Sequence, residues 1–396
     1  MQVHKINIHI PELSLILLIG NDDLKTSFAH RHFTSSEIVS LSACQDLLAT
    51  EATKELDELL HFVVSKRLQL GKLTVINAPC ETQALRSALV RLARRQHVPC
   101  AAIVLPSVQG PYQQKLPHQE GFKQVYILQH VEALEQVIIH RQPLESNMKQ
   151  EKGPFDIIGD VHGCFAELEQ LVLNLGYNIT LEDQYYLSHP QGRKLVFVGD
   201  LVDRGPKVPE VLRFVMDTAA QGMSFCVNGN HDDKLKRALE GRAVTISHGL
   251  EESLAQLEKE SSYFKDKVIN FLAALPSHYL FDEGRLAIAH AGVKEKYLER
   301  SSRRIRDYCM YGETTGATDE FGHPVRANWA KRFVSLTTVV YGHTPILTPE
   351  WENNTINIDT GCVFGGKLTA LRYPERELVS VTALKKYYTP LKPIQS

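Results

Sequence analysis

The sequence has almost no charge imbalance, no closely spaced cysteine pair and no long apolar run. Its 396 residues carry a formal net charge of -2 at pH 7, which excludes a histone-like or polybasic protein. The seven cysteines are scattered and include no C-x-x-C pair, which argues against a disulfide framework and favours a reducing compartment. The apolar run at 13–19 is too short to span a bilayer, and no signal-peptide pattern follows Met1. We therefore expect a cytoplasmic protein with no membrane association.

The composition and length are those of a multidomain globular protein. Hydrophobic residues make up 43% of the chain and charged residues 23%, and the length suggests two or three domains. Strand-like runs alternate with helical patterns in both halves, which predicts α/β domains with parallel sheets. A polar stretch with prolines and a glycine separates the halves. We therefore expect a domain over 1–145, a linker over 146–154 and a second domain over 155–396.

The first half contains clear strand and helix signals. Residues 13–20 predict a strand that ends at Gly20, and we expect the following helix to begin at Ser27. Apolar residues at helical spacing predict a helix over 51–70, and Gly71 is placed to end it. This half therefore reads as a parallel-sheet domain in its own right.

Five turns in the second half share one pattern, in which an apolar strand-like run is followed by glycine and by polar or imidazole side chains. They are Gly159-Asp160-Val161-His162-Gly163, Gly199-Asp200-Leu201-Val202-Asp203-Arg204-Gly205, Gly229-Asn230-His231-Asp232, His290-Ala291-Gly292 and Tyr341-Gly342-His343-Thr344. A single turn of this kind is common and uninformative. Five in succession supply the residue types that a two-metal phosphoesterase needs.

The ligands predicted for a pair of divalent ions are carboxylate, amide and imidazole groups, namely Asp160, His162, Asp200, Asn230, His290 and His343. Asp160 and His162 alternate along one strand end, so both can point to a first ion. Asp200 is the candidate bridge between the ions, and the remaining three residues complete the second site. This donor set favours Mn, Fe, Ni or Zn over Ca and includes no cysteine.

Three further residues of these turns have expected roles outside metal binding. Arg204 can bind two phosphate oxygens at once through its planar guanidinium group. His231 is the candidate general acid for the leaving-group oxygen, because histidine titrates near neutral pH. Asp203 is expected to accept the second ring N–H of His231 and so to set its tautomer.

At these turns the chain resembles the binuclear metallophosphoesterase superfamily. Residues 155–390 are similar to the central phosphatase domain of bacterial polynucleotide kinase-phosphatase, an RNA-repair enzyme, including the segments 247–253, 304–316 and 357–372. The resemblance implies a calcineurin-like α/β sandwich and a substrate that is an RNA end with a 3′-phosphate, 2′-phosphate or 2′,3′-cyclic phosphate. It also implies Mn or Ni as the metal, with a separate RNA ligase or RNA methyltransferase as a partner.

The first half resembles the kinase module of the same family, but it departs from the phosphate-binding motif. A P-loop has the form G-x-x-x-x-G-K-[ST], whereas this chain reads Gly20-Asn-Asp-Asp-Leu-Lys25-Thr26. The second glycine is missing, and Asp22 and Asp23 would repel phosphate. The next two motifs read Ser40-Leu-Ser-Ala-Cys-Gln45 and Val75-Ile-Asn77, where the family places aspartates. We expect a degenerate P-loop domain without kinase activity, in which Lys25 and Thr26 are the remaining candidate nucleotide contacts.

Other functions are compatible with the same turns. Relatives in the superfamily hydrolyse symmetrical dinucleoside tetraphosphates or are Ser/Thr protein phosphatases. A third hypothesis makes the first domain a module that binds RNA or a partner protein. A basic helical face would then follow the phosphate backbone, formed by Arg86, Arg91, Arg94 and Arg95.

Overall fold

The computed structural model of the protein describes residues 5–80, 82–106, 120–320, 322, 324–390 and 394. The chain divides into two compact units, one of Met1–Leu144 with Glu299–Ser302 and one of Glu145–Leu298 with Arg303–Ser396. The segment 146–154, expected to be a linker, lies in the second unit. Within it Asn147–Met148 pairs with Leu280–Phe281, so it forms part of a sheet.

The first unit is a three-layer α/β domain. Its strands are β1 (Ile6–Pro11), β2 (Leu15–Ile19), β3 (Ile38–Ser40), β4 (Thr74–Asn77), β5 (Cys100–Val104), β6 (Gln124–Ile127) and β7 (Val137–Gln142). Its helices are α1 (Asp22–His32), α2 (Leu41–Leu48), α3 (Thr53–Gln69) and α4 (Gln83–Arg95), with a 3₁₀ turn at Val131–Gln136. Five strands form a parallel sheet in the order β3-β4-β2-β5-β6, and β1 pairs in parallel with β7.

The strand β2 is buried on both faces, as the central strand of a parallel sheet should be. Leu15, Leu17 and Ile19 point to one side, into the core that contains apolar residues of α3 and α4. Ile16 and Leu18 point to the other side, where Phe28 and Ala29 of α1 pack with residues of β1 and β7. The continuous apolar run 15–19 therefore serves two cores at once.

The second unit contains the larger set of elements. Its strands are β8 (Asn147–Met148), β9 (Phe155–Ile158), β10 (Asn178–Leu181), β11 (Tyr185–Ser188), β12 (Lys194–Phe197), β13 (Ser224–Cys226), β14 (His278–Phe281), β15 (Leu286–Ala289), β16 (Thr314–Thr318), β17 (Pro324–Arg326), β18 (Thr338–Tyr341), β19 (Trp351–Glu352), β20 (Thr355–Asn357), β21 (Lys367–Tyr373) and β22 (Glu377–Thr382). Its helices are α5 (Phe165–Asn174), α6 (Val208–Ala220), α7 (Asn230–Leu239), α8 (Leu250–Glu258), α9 (Ser262–Ala274) and α10 (Arg303–Tyr311). Short 3₁₀ turns lie at Asp282–Gly284, Glu295–Tyr297, Ala330–Arg332 and Cys362–Phe364.

Two mixed sheets pack face to face in this unit. One has the order β13-β12-β9-β21-β22 and the other β19-β20-β18-β15-β14-β8. The core between them takes buried side chains from both sheets, among them Ile157, Val196, Ile288 and Val340. Helices α5, α6, α8 and α9 cover the outer face of the first sheet, and α10 covers that of the second. The result is a sandwich of two sheets with helices on both outer faces, as expected from the sequence.

Local signals place most helix ends, although one start was predicted wrongly. Helix α1 begins at Asp22 rather than at Ser27, because the Asn21 side chain accepts hydrogen bonds from the backbone N–H groups of Asp23 and Leu24. Gly71 adopts a left-handed conformation, with φ of 67°, directly after Leu70, the C-cap residue of α3. No helix in the described part of the chain has both the length and the apolarity needed to cross a bilayer.

Candidate metal centre

The five predicted turns lie at strand ends of the two packed sheets, on neighbouring strands in each. Strands β9, β12 and β13 of one sheet lead to the first three turns, and β15 and β18 of the other lead to the last two. Several turn residues have left-handed backbone angles, with φ of 45° at His162, 50° at Asp200 and 76° at His343. Such conformations are costly for residues other than glycine and concentrate at functional sites.

The Asp200 carboxylate lies between two imidazole rings. Its Oδ2 atom is 3.3 Å from Nε2 of His290 and 3.7 Å from Nε2 of His162. Both rings are held from behind, because Nδ1 of His290 donates to the Val198 carbonyl at 3.0 Å and Nδ1 of His162 to the Val202 carbonyl at 2.7 Å. With Nδ1 protonated in this way, each Nε2 directs a lone pair into the site.

Asn230 and His343 complete one side of this arrangement. Nε2 of His290 is 2.9 Å from Oδ1 of Asn230 and 3.0 Å from Nδ1 of His343. When Nε2 of His290 carries no proton, it can act as an acceptor that faces two further acceptors, Oδ1 of Asn230 and Nδ1 of His343. A proton or a cation between such atoms removes their mutual repulsion.

Asp160 lies on the other side, next to a carboxylate that the sequence analysis missed. The backbone N–H of His343 donates to Oδ2 of Asp160 at 3.1 Å. Burial raises the pKa of Asp160 well above its usual range, and the carboxylates of Asp359 and Asp200 add to the shift. Burial likewise raises the pKa of Asp359 to about 6, with Asp200 contributing. Asp359 follows β20 and precedes Thr360-Gly361, so the strand-then-aspartate-then-glycine pattern could have identified it.

The other shifts follow from the same crowding of charges. Burial opposes ionisation of Asp200, but the nearby rings of His290, His231 and His162 hold its pKa well below its usual range. Burial lowers the pKa of His162, and so does the Arg204 guanidinium. For His343, burial and the His290 ring lower the pKa. For His290 burial also acts to lower the pKa, but the adjacent Asp200 carboxylate outweighs it and raises the pKa above its ordinary value. A metal ion at Nε2 of His290 would therefore have to displace a proton, whereas His162 and His343 already favour the neutral form that metal binding requires.

The donor set fits a pair of divalent ions. The grouped side chains are His162, Asp200 and His231 on one side and Asp200, His290 and His343 on the other, with Asp200 shared. Converging lone pairs and mutually repelling carboxylates favour a bound cation. His162 and Asp200 could hold one ion, and Asp200, Asn230, His290 and His343 the other. The predicted ligand Asp160 belongs to neither group, and its carboxylate instead accepts the His343 backbone N–H. Asp359 could supply a further oxygen ligand.

His231 and Asp203 form a buried hydrogen-bonded pair beside these ligands. Nδ1 of His231 is 2.6 Å from Oδ2 of Asp203. The other carboxylate oxygen accepts a hydrogen bond of 2.6 Å from Oγ of Ser253, and this hydroxyl accepts one of 2.9 Å from the Asp203 backbone N–H. Ser253 is fully buried on α8 and was not predicted as a site residue. The arrangement leaves Nε2 of His231 facing the site.

Arg204 contacts imidazole rings in this structure. Its Nη1 lies 2.7 Å from Nε2 of His162, and its Nη2 lies 2.8 Å from Nε2 of His231. The guanidinium also lies over the rings of Phe364 and Tyr388, at 5.2 Å and 5.9 Å from their centroids. Arg204 is therefore at the site, but it would have to leave the His162 lone pair before an ion binds there.

A second carboxylate that was not predicted, Asp232, is hydrogen bonded to two of the turns. Asp232 is fully buried and accepts hydrogen bonds from the backbone N–H groups of Leu201 and Gly229, at 3.0 Å and 3.1 Å. Burial and the neighbouring Asp200 raise its pKa to about 7. Asp232 therefore ties the Asp200 turn to the start of α7, where Asn230 and His231 lie.

In the first unit, the candidate nucleotide contacts are already paired. The buried ammonium of Lys25 is 2.6 Å from Oδ1 of Asp22 and donates to the Ala78 carbonyl at 3.0 Å. The Thr26 hydroxyl accepts a hydrogen bond of 3.1 Å from the Asn77 amide. Both residues lie on α1 beside the end of β4, and Asp22 neutralises the charge that would attract a phosphate.

The basic face predicted on α4 is incomplete. Arg86 is buried and forms a two-point ion pair with Glu120, with both nitrogen–oxygen distances at 2.7 Å. Its guanidinium also donates to the Cys80 carbonyl at 2.8 Å. The inclusion of Arg86 in a nucleic-acid surface was therefore wrong, since it faces the core.

Comparison with known proteins identifies the family of this chain. The calcineurin-like phosphoesterase family profile matches residues 153–347, and an AAA domain profile matches residues 17–144. The bis(5′-nucleosyl)-tetraphosphatase PrpE (asymmetrical) of Anoxybacillus flavithermus is 46% identical over 237 residues, which are 59% of this chain and 96% of that protein. The protein of the same name from Bacillus cereus is 44% identical over 232 residues, covering 57% and 93%. A crystal structure of a candidate diadenosine tetraphosphatase is 25% identical, covers 60% of this chain and 96% of its own, and has a TM-score of 0.44. The chain belongs to the calcineurin-like phosphoesterase family, and it is a hydrolase with an AAA-like domain preceding its catalytic unit.

Proposed function

We propose that the second unit hydrolyses bis(5′-nucleosyl)-tetraphosphates with the help of two divalent metal ions. The observation that carries this proposal is the identity of 46% to a bis(5′-nucleosyl)-tetraphosphatase along 96% of that protein. This substrate class was an alternative in the sequence analysis, where symmetrical cleavage was expected. The relatives are named for asymmetrical cleavage, so we propose asymmetrical products.

The proposed ligands of the ions are those predicted from the sequence, with Asp359 added. Such ions supply Lewis acidity to a phosphoryl group and acidify a water molecule at neutral pH. Mn is our first expectation for the metal, with Ni, Fe and Zn as alternatives. In this proposal Asp200 would be the ligand common to both ions. The Nδ1 hydrogen bonds of His162 and His290 hold their rings in place.

The remaining site residues act on the substrate itself. Once Arg204 releases Nε2 of both His162 and His231, its guanidinium binds oxygens of the phosphoryl group that is attacked, and Nε2 of His231 is free to carry a proton. His231 donates the proton on Nε2 to the leaving oxygen, while Asp203 stabilises the charged ring through Nδ1. A proton on Nε2 matters most when the leaving oxygen is strongly basic, as in an ester, and least when it belongs to a polyphosphate.

A second candidate function is the removal of terminal phosphates from RNA ends. Its support is the presence of a P-loop-like unit, together with the segments 247–253, 304–316 and 357–372 that resemble polynucleotide kinase-phosphatase. In this proposal the first unit is an inactive kinase that binds RNA or a partner, and a separate RNA ligase or methyltransferase completes the repair. The Lys25–Asp22 ion pair supports the loss of kinase activity.

A substrate panel separates these functions. The full chain, loaded with Mn, is assayed on diadenosine tetraphosphate, on RNA with a 3′-phosphate or 2′,3′-cyclic phosphate, and on a phosphoserine peptide. We expect the highest kcat/KM on diadenosine tetraphosphate, with ATP and AMP as products. Two ADP molecules would indicate symmetrical cleavage, and faster turnover of the RNA ends or of the peptide would contradict the proposal. The Asp200→Ala variant controls for contaminating phosphatases.

A further inference from the structure

A buried cluster of two cysteines and one glutamate lies near the start of α5, next to the His162 turn. It consists of Cys164, Glu167 and Cys362, whose side chains are buried, with exposed fractions of 0%, 2% and 1%. One ligand atom from each residue lies within 4.8 Å of those of the other two. The cluster shares no residue with the two groups that contain Asp200.

The fold brings these residues together from distant parts of the sequence. Cys164 immediately precedes α5 and Glu167 lies in its first turn, so the spacing of three residues puts them on one face of the helix. Cys362 begins the short turn Cys362–Phe364, which follows the buried Asp359. The cluster therefore links the start of α5 to the turn that begins at Cys362.

A buried carboxylate oxygen of Glu167 gives an independent reason to expect a ligand here. The Oε1 atom of Glu167 accepts hydrogen bonds from the Leu384 backbone N–H at 2.9 Å and from the Tyr387 hydroxyl at 2.8 Å. Its Oε2 atom is buried and has no hydrogen-bond partner among the residues that the structure describes. An unpaired carboxylate oxygen in a protein interior is costly, and a bound ion is one of the few features that accounts for it.

We propose that Cys164, Glu167 and Cys362 bind a third cation, of the soft or borderline divalent class represented by Zn²⁺. Binding exchanges the two thiol protons for the cation, M²⁺ + 2 RSH → M(SR)₂ + 2 H⁺, so the charge of the buried cluster does not change. Two thiolates and one carboxylate select zinc-like ions over Mg²⁺ or Mn²⁺. The oxygen and imidazole ligands of the strand-end site also accept harder ions such as Mn²⁺.

The cation would stabilise the catalytic turns from the side away from solvent. The Cys164 thiol lies 3.7 Å from the carbonyl oxygen of His162, a proposed ligand of the first ion. Through Glu167 the cation would also hold the segment that contains Leu384 and Tyr387. A structural ion at this position would fix the His162 turn before the catalytic metals bind.

Cobalt substitution tests the proposal, because Co²⁺ bound to thiolates gives an intense charge-transfer band in the near ultraviolet. The full chain is stripped of metal under reducing conditions and titrated with Co²⁺. We expect the band in the wild-type protein and its loss in Cys164→Ser and Cys362→Ser. The buried Cys309, which lies outside the cluster, provides a matched control, and Cys309→Ser should retain the band.

The Glu167→Gln variant keeps both thiols and the shape of the side chain. This variant should still show the band, but its affinity for Co²⁺ should fall. Loss of an outer-shell partner of a metal ligand lowers affinity by roughly tenfold or more, and we expect at least that reduction here. Asp200→Ala should show the band unchanged, which separates this proposal from the fate of the proposed catalytic centre. Absence of the band in the folded wild-type protein at saturating Co²⁺ would overturn the proposal. So would a native Cys164–Cys362 disulfide found by mass spectrometry.

Discussion

The Ser253 hydroxyl donates a hydrogen bond of 2.6 Å to Oδ1 of Asp203, whose other oxygen lies 2.6 Å from Nδ1 of His231. The pair formed by His231, the proposed general acid, and Asp203 is thus held by a third residue from α8. The same helix braces the turn again, because the Gln256 amide donates to the Gly205 carbonyl at 2.9 Å. The position of His231 therefore depends on a helix that carries none of the predicted catalytic residues.

Replacing Ser253 with alanine should impair proton donation more than it impairs metal binding. Loss of a hydrogen bond to a charged group costs about 1.5 kcal/mol or more, which corresponds to roughly tenfold in rate. We expect this loss of kcat on phosphate esters with strongly basic leaving groups and little change on p-nitrophenyl phosphate. The measurement is a series of aryl and alkyl phosphates of increasing leaving-group basicity.

Two further variants show whether the Ser253 effect is specific. Ser253→Thr retains the hydroxyl and should restore most of the activity. Ser224→Ala removes a buried serine hydroxyl of the same unit that pairs with Thr218 at 2.8 Å instead. A loss of equal size on all leaving groups, or in both alanine variants, would contradict a role for Ser253 in proton donation.

The buried ion pair of Arg193 and Asp156 should be the most sensitive polar contact in the second unit. Arg193 is 1% exposed, and its Nε and Nη2 atoms lie 2.8 Å and 2.9 Å from the Asp156 carboxylate. Arg193→Met leaves that carboxylate buried without its main partner, so we expect a loss of about 3–5 kcal/mol in the free energy of unfolding. Urea denaturation followed by circular dichroism measures it.

Arg372 offers a matched control for this prediction. It contacts the same carboxylate at 3.2 Å from a side chain that is 23% exposed. Arg372→Met should therefore cost about 1 kcal/mol or less. Equal losses in the two variants would show that burial does not determine the strength of these pairs.

His278 should make the stability of the second unit depend on pH. The ring is fully buried and hydrogen bonded to the Leu298 carbonyl at 2.9 Å, and burial lowers its pKa below the ordinary value. When the pH is below the ordinary histidine pKa of about 6.5, the ring of His278 is protonated in the unfolded chain but stays neutral in the folded chain. Stability is therefore full above the unfolded pKa of about 6.5 and falls as the pH drops below it, by at most about 1.4 kcal/mol per pH unit.

The measurement is the unfolding free energy of wild type and His278→Gln between neutral and mildly acidic pH. Glutamine can still donate to Leu298 but does not titrate, so its stability should fall less steeply. The exposed His248 gives a control, and His248→Gln should keep the wild-type slope. Identical slopes for wild type and His278→Gln would refute this assignment.

The first unit should bind ATP poorly because Asp22 already neutralises Lys25. We expect no measurable heat when ATP is titrated into the full chain, and no transfer of phosphate to a 5′-hydroxyl RNA. Asp22→Asn keeps the size of the side chain and removes the competing charge, so it should raise the affinity for ATP. Tight ATP binding by the wild-type chain would contradict the interpretation as an inactive P-loop domain.

Site residues that belong to short sequence motifs could be predicted from the sequence. Site residues that are positioned by contacts with distant parts of the chain could not. The predicted turns lie close together because each follows a strand of one of two packed sheets, and a strand followed by a glycine turn is a pattern that the sequence can indicate. Asp359 follows the same pattern but was passed over within a longer resembling segment. Ser253 and Glu167 carry no local signal, since their partners lie 50 and more than 200 residues away.

Helix starts and surfaces were harder to predict for similar reasons. The Asn21 cap and the two aspartates after it start α1, yet they were interpreted only as a damaged phosphate loop. Arg86 belongs to a basic stretch by sequence, but Glu120 pairs with it in the interior. In both cases a contact outside the local pattern determines the outcome.

We predict that two metal ions bind at the ends of strands from both packed sheets. Anomalous diffraction from crystals of the full chain grown with Mn²⁺, recorded at the manganese edge, tests it most directly. We predict two peaks, one beside Asp160 and His162 and one beside Asn230, His290 and His343, with the Asp200 carboxylate between them. No peak at these side chains, or a single peak that does not contact Asp200, would contradict the account.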